Sequence, residues 1–257
     1  MIFLLLAIDI GNTNLNMGIY DGDVLIFTSR LATDSRLTSD QYAYEIKNIL
    51  SIYGKHLGDI EDCIISSVVP NVQTAICNAL SNICEVVPMT VGPGIKTGLN
   101  IKIDNPAQLG ADLVAGAVGA INEYTLPCII IDMGTATTIF AIDSDGGFVG
   151  GSICAGVRLT LKALCENTAQ LPATEIVAPP SVIGKNTSDC MKSGLVFGTA
   201  AMIDGIVERM KSEIGENASV VATGGLSREI IKYCKTDIIY NENILLEGLR
   251  IIYEKNK

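Results

Sequence analysis

The chain has 257 residues, 48% hydrophobic and 18% charged, which is too apolar for disorder and long enough for one large core or two of ordinary size. Its net charge is −10, with no run of five Lys or Arg. That argues against a nucleic-acid-binding surface and leaves any phosphate to be held by backbone N–H groups, a bound metal or single cations. The eight cysteines contain no C-x-x-C pair and sit mostly in apolar runs, as small buried hydrophobes in a reducing cytosol do.

The opening apolar run, residues 1–8, has neither a positive n-region nor a small-residue cleavage site and is ended by Asp9. It is too short to cross a bilayer and is expected as a strand buried on both faces, in a cytoplasmic protein without a membrane partner. The tight loop Asp9-Ile10-Gly11-Asn12-Thr13-Asn14 follows, then an alternating strand to Tyr20, a turn at Asp21-Gly22-Asp23 and a strand through Phe27. Residues 39–54 read as an amphipathic helix capped by Thr38 or Ser39, with Tyr42, Ile46, Ile49 and Leu50 on one face. Residues 63–69 are a buried strand ended by Pro70, 72–83 a helix, and 114–123 a helix rich in small residues.

A second copy of the opening pattern then appears. The strand from Cys128 runs into Asp132-Met133-Gly134-Thr135-Ala136-Thr137-Thr138, a strand to Ile142, a turn at Ser144-Asp145-Gly146-Gly147 and a strand to Ile153. The loop aspartate precedes the turn aspartate by twelve residues in the first copy and thirteen in the second. Each copy reads as an antiparallel meander. Residues 189–214 are expected as a helix, 219–222 as a strand, 228–233 as a helix and 245–255 as a closing helix. A mixed α/β chain of two related domains follows, with residues 1–118 and 119–257 as the expected division.

The chemistry is expected at the two loops. In Asp-x-Gly-Asn/Thr the glycine lets the turn approach a phosphate and successive backbone N–H groups point at the anion. Thr13 and Thr135 add hydroxyl donors, and Asp9 or Asp132 can hold a cation, directly or through water. Thr223-Gly224-Gly225, after a strand and before a helix, suits a turn packed against an adenine ring. Gly92-Pro93-Gly94-Ile95-Lys96-Thr97 lacks the glycine directly before lysine that a P-loop needs. Asp143-Ser144-Asp145-Gly146 has Cys154 where a calcium loop needs its twelfth-position acid, so a hairpin turn is expected. Phosphoryl transfer needs a residue to accept the attacking hydroxyl's proton. Asp112, following Gly110 at the start of the helix that joins the repeats, is the candidate; a helix-start aspartate favoured by the macrodipole is the alternative.

These residues resemble the type III pantothenate kinases, members of the actin-like and sugar-kinase-like ATPase superfamily. The matching stretches are the Asp9–Asn14 loop, Gly110-Ala111-Asp112, the Asp132–Thr138 loop, Thr168-Ala169-Gln170-Leu171-Pro172, Ile183-Gly184 with Thr187, Thr223-Gly224-Gly225 and the closing helix. The resemblance implies two duplicated ribonuclease H-like domains, the actin-like ATPase fold, with an interdomain cleft that the two loops face. It implies phosphorylation of pantothenate by ATP to 4′-phosphopantothenate, the first step towards coenzyme A. Asp112 would be the general base. Asp9, Ile10, Gly11, Asn12, Thr13, Asn14, Leu15 and Asn16 would form the first ATP loop, with Gly134, Thr135, Gly224 and Gly225 contacting ATP from the second repeat. Asp132 would bind potassium, and Gly110, Ala111, Asp112, Leu113 and Thr187 would surround pantothenate. A homodimer, Mg2+ or another divalent ion, and K+ or NH4+ are implied as well.

Three positions depart from the family pattern. Leu113 stands where the family usually has an arginine, Ile103 where it commonly has a tyrosine, and Ala155 where a proline precedes glycine. All three concern the acceptor side. A kinase for another small hydroxyl compound and a non-catalytic ATP-binding or regulatory paralogue therefore stay open, although Asp112 favours an enzyme.

Overall fold

The computed structural model describes residues 4–257; residues 1–3 of the expected first strand lie outside them. The described chain divides into two compact units. The first comprises the chain up to Leu99, Asn105–Gly119 and Ile244–Lys257, and the second Asn100–Asp104 with Ala120–Asn243.

In the first unit β1 (Leu4–Ile10), β2 (Asn14–Asp21) and β3 (Val24–Ala32) form the expected meander. After α1 (Ser39–Ile52), β4 (Ile60–Ser67) returns parallel to β1, and α2 (Pro70–Cys84) leads to β5 (Met89–Thr90). The strand order is β3-β2-β1-β4-β5. β1 is buried throughout because its alternate residues serve two cores. Leu4, Leu6, Ile8 and Ile10 meet α1 and α2, while Leu5 and Ala7 meet the helices of the opposite face. α1 starts at a capping box between Thr38 and Gln41 and buries the four expected residues Tyr42, Ile46, Ile49 and Leu50. Pro70 opens α2, where its fixed φ suits a first helical turn.

The chain passes β6 (Asn100–Ile101) and enters α3 (Ala111–Glu123), within which the first unit gives way to the second. The second unit repeats the plan with β7 (Cys128–Met133), β8 (Ala136–Ile142) and β9 (Gly147–Ala155) as its meander. α4 (Val157–Asn167) and α5 (Thr187–Ile214) follow, then β10 (Ser219–Thr223), parallel to β7, the short α6 (Ser227–Ile231) and β11 (Ile239–Tyr240). The order β11-β10-β7-β8-β9-β6 matches the first sheet, with β6 added beside the third meander strand. The repeat visible in the meanders thus extends to the parallel strand beyond them. α5 is long and apolar enough to cross a membrane by length and composition, but Leu195, Val196, Ala200, Ile203 and Val207 are spent on the core of this unit.

Three features differ from expectation. β3 runs to Ala32 rather than Phe27, because its pairing with β2 continues through polar residues to Asn14. α4 follows β9 after Gly156 alone, in a stretch to which the sequence assigned no helix bounds. The closing helix α7 (Ile244–Glu254) belongs to the first unit, although the expected division placed it with residues 119–257. Two glycines bring its backbone onto α3: a Cβ at Gly248 would run into the carbonyl of Ala115, and one at Gly119 into that of Ile244. Tyr20 on β2 and Tyr253 on α7 add hydrogen bonds to Glu247 at 3.1 Å and to Asp62 at 3.0 Å.

Candidate active site

The first unit brings the loop after β1 together with the start of α3. Asp9 is 5% exposed and stands in register with Asn16 on β2 and Ser66 on β4. Its Oδ1 accepts the Ser66 hydroxyl at 2.7 Å. Burial is the main cause that lifts its pKa from 3.8 to about 6, and the charge of Asp112 adds to this against hydrogen bonds from Ser66 and Asn16. The loop is a closed turn: Gly11 N–H donates to the Asn14 carbonyl at 3.0 Å, leaving Asn12, Thr13 and Asn14 exposed. Thr33, just past β3, holds it from behind. Its hydroxyl donates to the Gly11 carbonyl at 2.7 Å and its N–H to the Thr13 carbonyl at 2.9 Å. Ile10 and Leu15 point into the core, so only their main chain is available to a ligand.

Asp112 lies in the first turn of α3, and Leu113 N–H donates to its Oδ1 at 2.8 Å. Burial raises its pKa, and the backbone hydrogen bonds of Leu113 and of its own N–H oppose that rise. Gly110 leaves room beside it, since a Cβ there would push on the Asp112 carboxylate. Ala111 and Leu113 are half-buried on either side. Mg2+ keeps several waters and is bound through one or two carboxylates plus substrate phosphates, a role open to the Asp9 carboxylate at the head of the loop.

In the second unit the same register recurs: Asp132 pairs with Thr138 on β8 and Thr223 on β10. Gly134 and Thr135 are exposed at the loop. Gly156, capping α4, packs on the carbonyl of Gly134 at 2.7 Å from where a Cβ would stand. Gly224 has φ +94° and abuts the main chain of Met133, so the Gly224-Gly225 turn lies against the end of β7. Thr187 is exposed at the first position of α5, capped by Asn186. Asp143 sits in a hairpin turn, its Oδ1 accepting from Asp145 and Gly147 at 3.0 and 2.8 Å, as expected for that motif. Among the described residues no three His, Cys, Asp or Glu side chains cluster to hold a metal.

The model of the type III pantothenate kinase family matches residues 5–209. The chain belongs to the type III pantothenate kinase family. A type III pantothenate kinase from Exiguobacterium sp. is 44% identical over 254 residues, covering 99% of this chain and all of the relative. Among solved structures, a Baf-family transcriptional activator from Campylobacter jejuni superposes with TM-score 0.63 at 21% identity over 98% of each chain. An ethanolamine utilization protein from Carboxydothermus hydrogenoformans gives 0.53 at 14% identity, over 96% of this chain and 88% of that one. At such identities the likeness is one of fold. That fold is a duplicated α/β arrangement of two mixed sheets of one plan, and the chain is a kinase of this pantothenate-phosphorylating family.

Sequence reasoning missed Ser66, Thr33 and Arg30. Ser66 was read as part of a buried strand, and its signal was a hydroxyl at the end of an otherwise apolar run. Arg30 and Thr33 lay beyond the expected end of β3.

Proposed function

We propose that the chain transfers the γ-phosphoryl group of ATP to the hydroxyl of pantothenate, forming 4′-phosphopantothenate. The observation that carries this is Asp112, raised in pKa by burial and held at the head of α3 in the same unit as the Asp9 loop. A general base works best when its pKa approaches the working pH, and burial moves Asp112 that way. The helix N–H groups fix its orientation, so that it takes the hydroxyl proton as the oxygen attacks phosphorus. Mg2+ neutralises the phosphate charge that a chain of net charge −10 otherwise repels.

In this account Asp9 holds the divalent ion, and the main chain from Ile10 to Leu15, with Asn12, Thr13, Asn14 and Asn16, takes phosphate oxygens. Gly134, Thr135, Gly224 and Gly225 contact the nucleotide from the second unit, and Asp132 supports a potassium or ammonium ion. Gly110, Ala111, Leu113 and Thr187 shape the pantothenate site, in a cytoplasmic homodimer. Purified protein incubated with pantothenate, ATP and Mg2+, with and without K+, tests this. Mass spectrometry should find phosphopantothenate in step with ADP. ADP without a phosphorylated product, or no turnover under any of these conditions, overturns the assignment.

A further inference from the structure

Arg30, Asn16, Asp9 and Ser66 stand in one row of register partners across four adjacent strands. Arg30 on β3 donates Nε–H to Asn16 Oδ1 at 2.8 Å, and it is the register partner of Asn16. Asn16 is in turn the register partner of Asp9 on the neighbouring strand, near enough for its amide to hold that carboxyl's pKa down. From the other side Ser66, fully buried, donates to Asp9 Oδ1 at 2.7 Å. An amide carries one acceptor oxygen and one NH2 donor. With its oxygen taken by the guanidinium, Asn16 presents its NH2 to Asp9, the end an ionised carboxylate can use. The arginine thus decides which way the asparagine faces.

The repeat supplies an internal comparison. At the same register positions the second unit has Ile153, Thr138, Asp132 and Thr223. Ile153 is exposed and cannot donate, and Thr138 Oγ1 is buried without a hydrogen-bond partner. Two sheets of one plan therefore set different residues beside their loop aspartates. Only the first fixes its aspartate by an arginine-oriented amide, and that aspartate shares its unit with Asp112.

We infer that Ser66 and the Arg30–Asn16 pair are positioning residues for phosphoryl transfer, clamping the Asp9 carboxylate in one orientation at the head of the phosphate loop. This rests on the kinase function proposed above. A carboxylate clamped on two sides needs no reorganisation when Mg2+·ATP arrives, whereas a loosened one must be reordered at each turnover.

The test compares Ser66→Ala, Ser66→Thr and Arg30→Met with wild type by steady-state kinetics, Mn2+·ATP calorimetry and thermal melting. Ser66→Ala and Arg30→Met should each lower kcat about ten- to hundredfold, up to the scale on which a misplacement of about 1 Å acts. They should weaken Mn2+·ATP binding and leave the KM for pantothenate unchanged. Ser66→Thr, which keeps the hydroxyl, should recover most of the loss. Arg30 is exposed, so Arg30→Met should melt with wild type, and it decides the question even if Ser66→Ala fails to fold. Wild-type kcat and Mn2+·ATP affinity in Arg30→Met overturn the clamp, as does Ser66→Thr behaving as badly as the alanine. If wild type phosphorylates no pantothenate, the kinase assignment fails on its own and the Mn2+·ATP titration still decides the clamp.

Discussion

The charge on Asp112 reaches the carboxyl of Asp9, and together with the larger effect of burial it makes folded Asp9 hold its proton to a pH of about 6 rather than 3.8. The folded state then binds more protons than the unfolded state between those values, so this group's contribution to stability falls as pH rises through that window. Above it, an ionised Asp9 is a burden on the fold that the phosphate site requires.

Asp9→Asn should therefore stabilise the metal-free protein at pH 7.5 while abolishing turnover. A rise in pKa to about 6 corresponds to roughly 2–3 kcal/mol at neutral pH. Near pH 4 the two proteins should melt together, because the carboxyl is then largely neutral in the fold. Thermal melts across pH 4–8 in chelator check this, and equal melting at pH 7.5 counts against it.

Asp112→Asn should leave ATP binding nearly unchanged and slow turnover by about 10²–10⁴-fold, the usual contribution of a general base. Calorimetry with Mg2+·ATP and a coupled ADP assay separate the two effects. Unaltered turnover removes Asp112 from the chemistry and returns it to a helix-start role.

Gly248→Ala should destabilise the protein by about 1–3 kcal/mol, the cost of overpacking where main chain is the obstacle. The new methyl would press on the Ala115 carbonyl in α3, whose first turn carries Asp112. Denaturant unfolding measures the loss, and kcat should fall with it because α3 is displaced. Wild-type stability in this variant means that α7 can slide along α3.

Leu113→Arg should raise kcat/KM for pantothenate about tenfold, the value of one charge-assisted hydrogen bond to its carboxylate. Leu113 is half-buried directly after the proposed base, so the new guanidinium starts from the right turn of helix. Initial-rate kinetics at low pantothenate are the measure. No gain, with wild type already saturating at low-micromolar concentration, points to another anchor for the carboxylate.

The sequence by itself determined the elements whose signals are local. The cap at Thr38 or Ser39 and the buried stripe of α1, the Pro70 boundary and the two Asp-Gly loops are written in neighbouring residues, because propensity, capping and period act over a few positions. So were Asp112 at a helix start and the repeated meander. Tertiary structure alone decided what depends on register and return. No spacing in the chain says that Ser66 faces Asp9 from fifty-seven residues away, since strand pairing selects that partner. Nothing local told that β3 continues to bring Arg30 onto Asn16. The closing helix reads as an ordinary amphipathic segment, and only the close approach permitted by Gly119 and Gly248 assigns it to the first unit. Cross-strand neighbours and helix crossings are chosen by packing over the whole unit, and their energies have no counterpart in any short window of sequence.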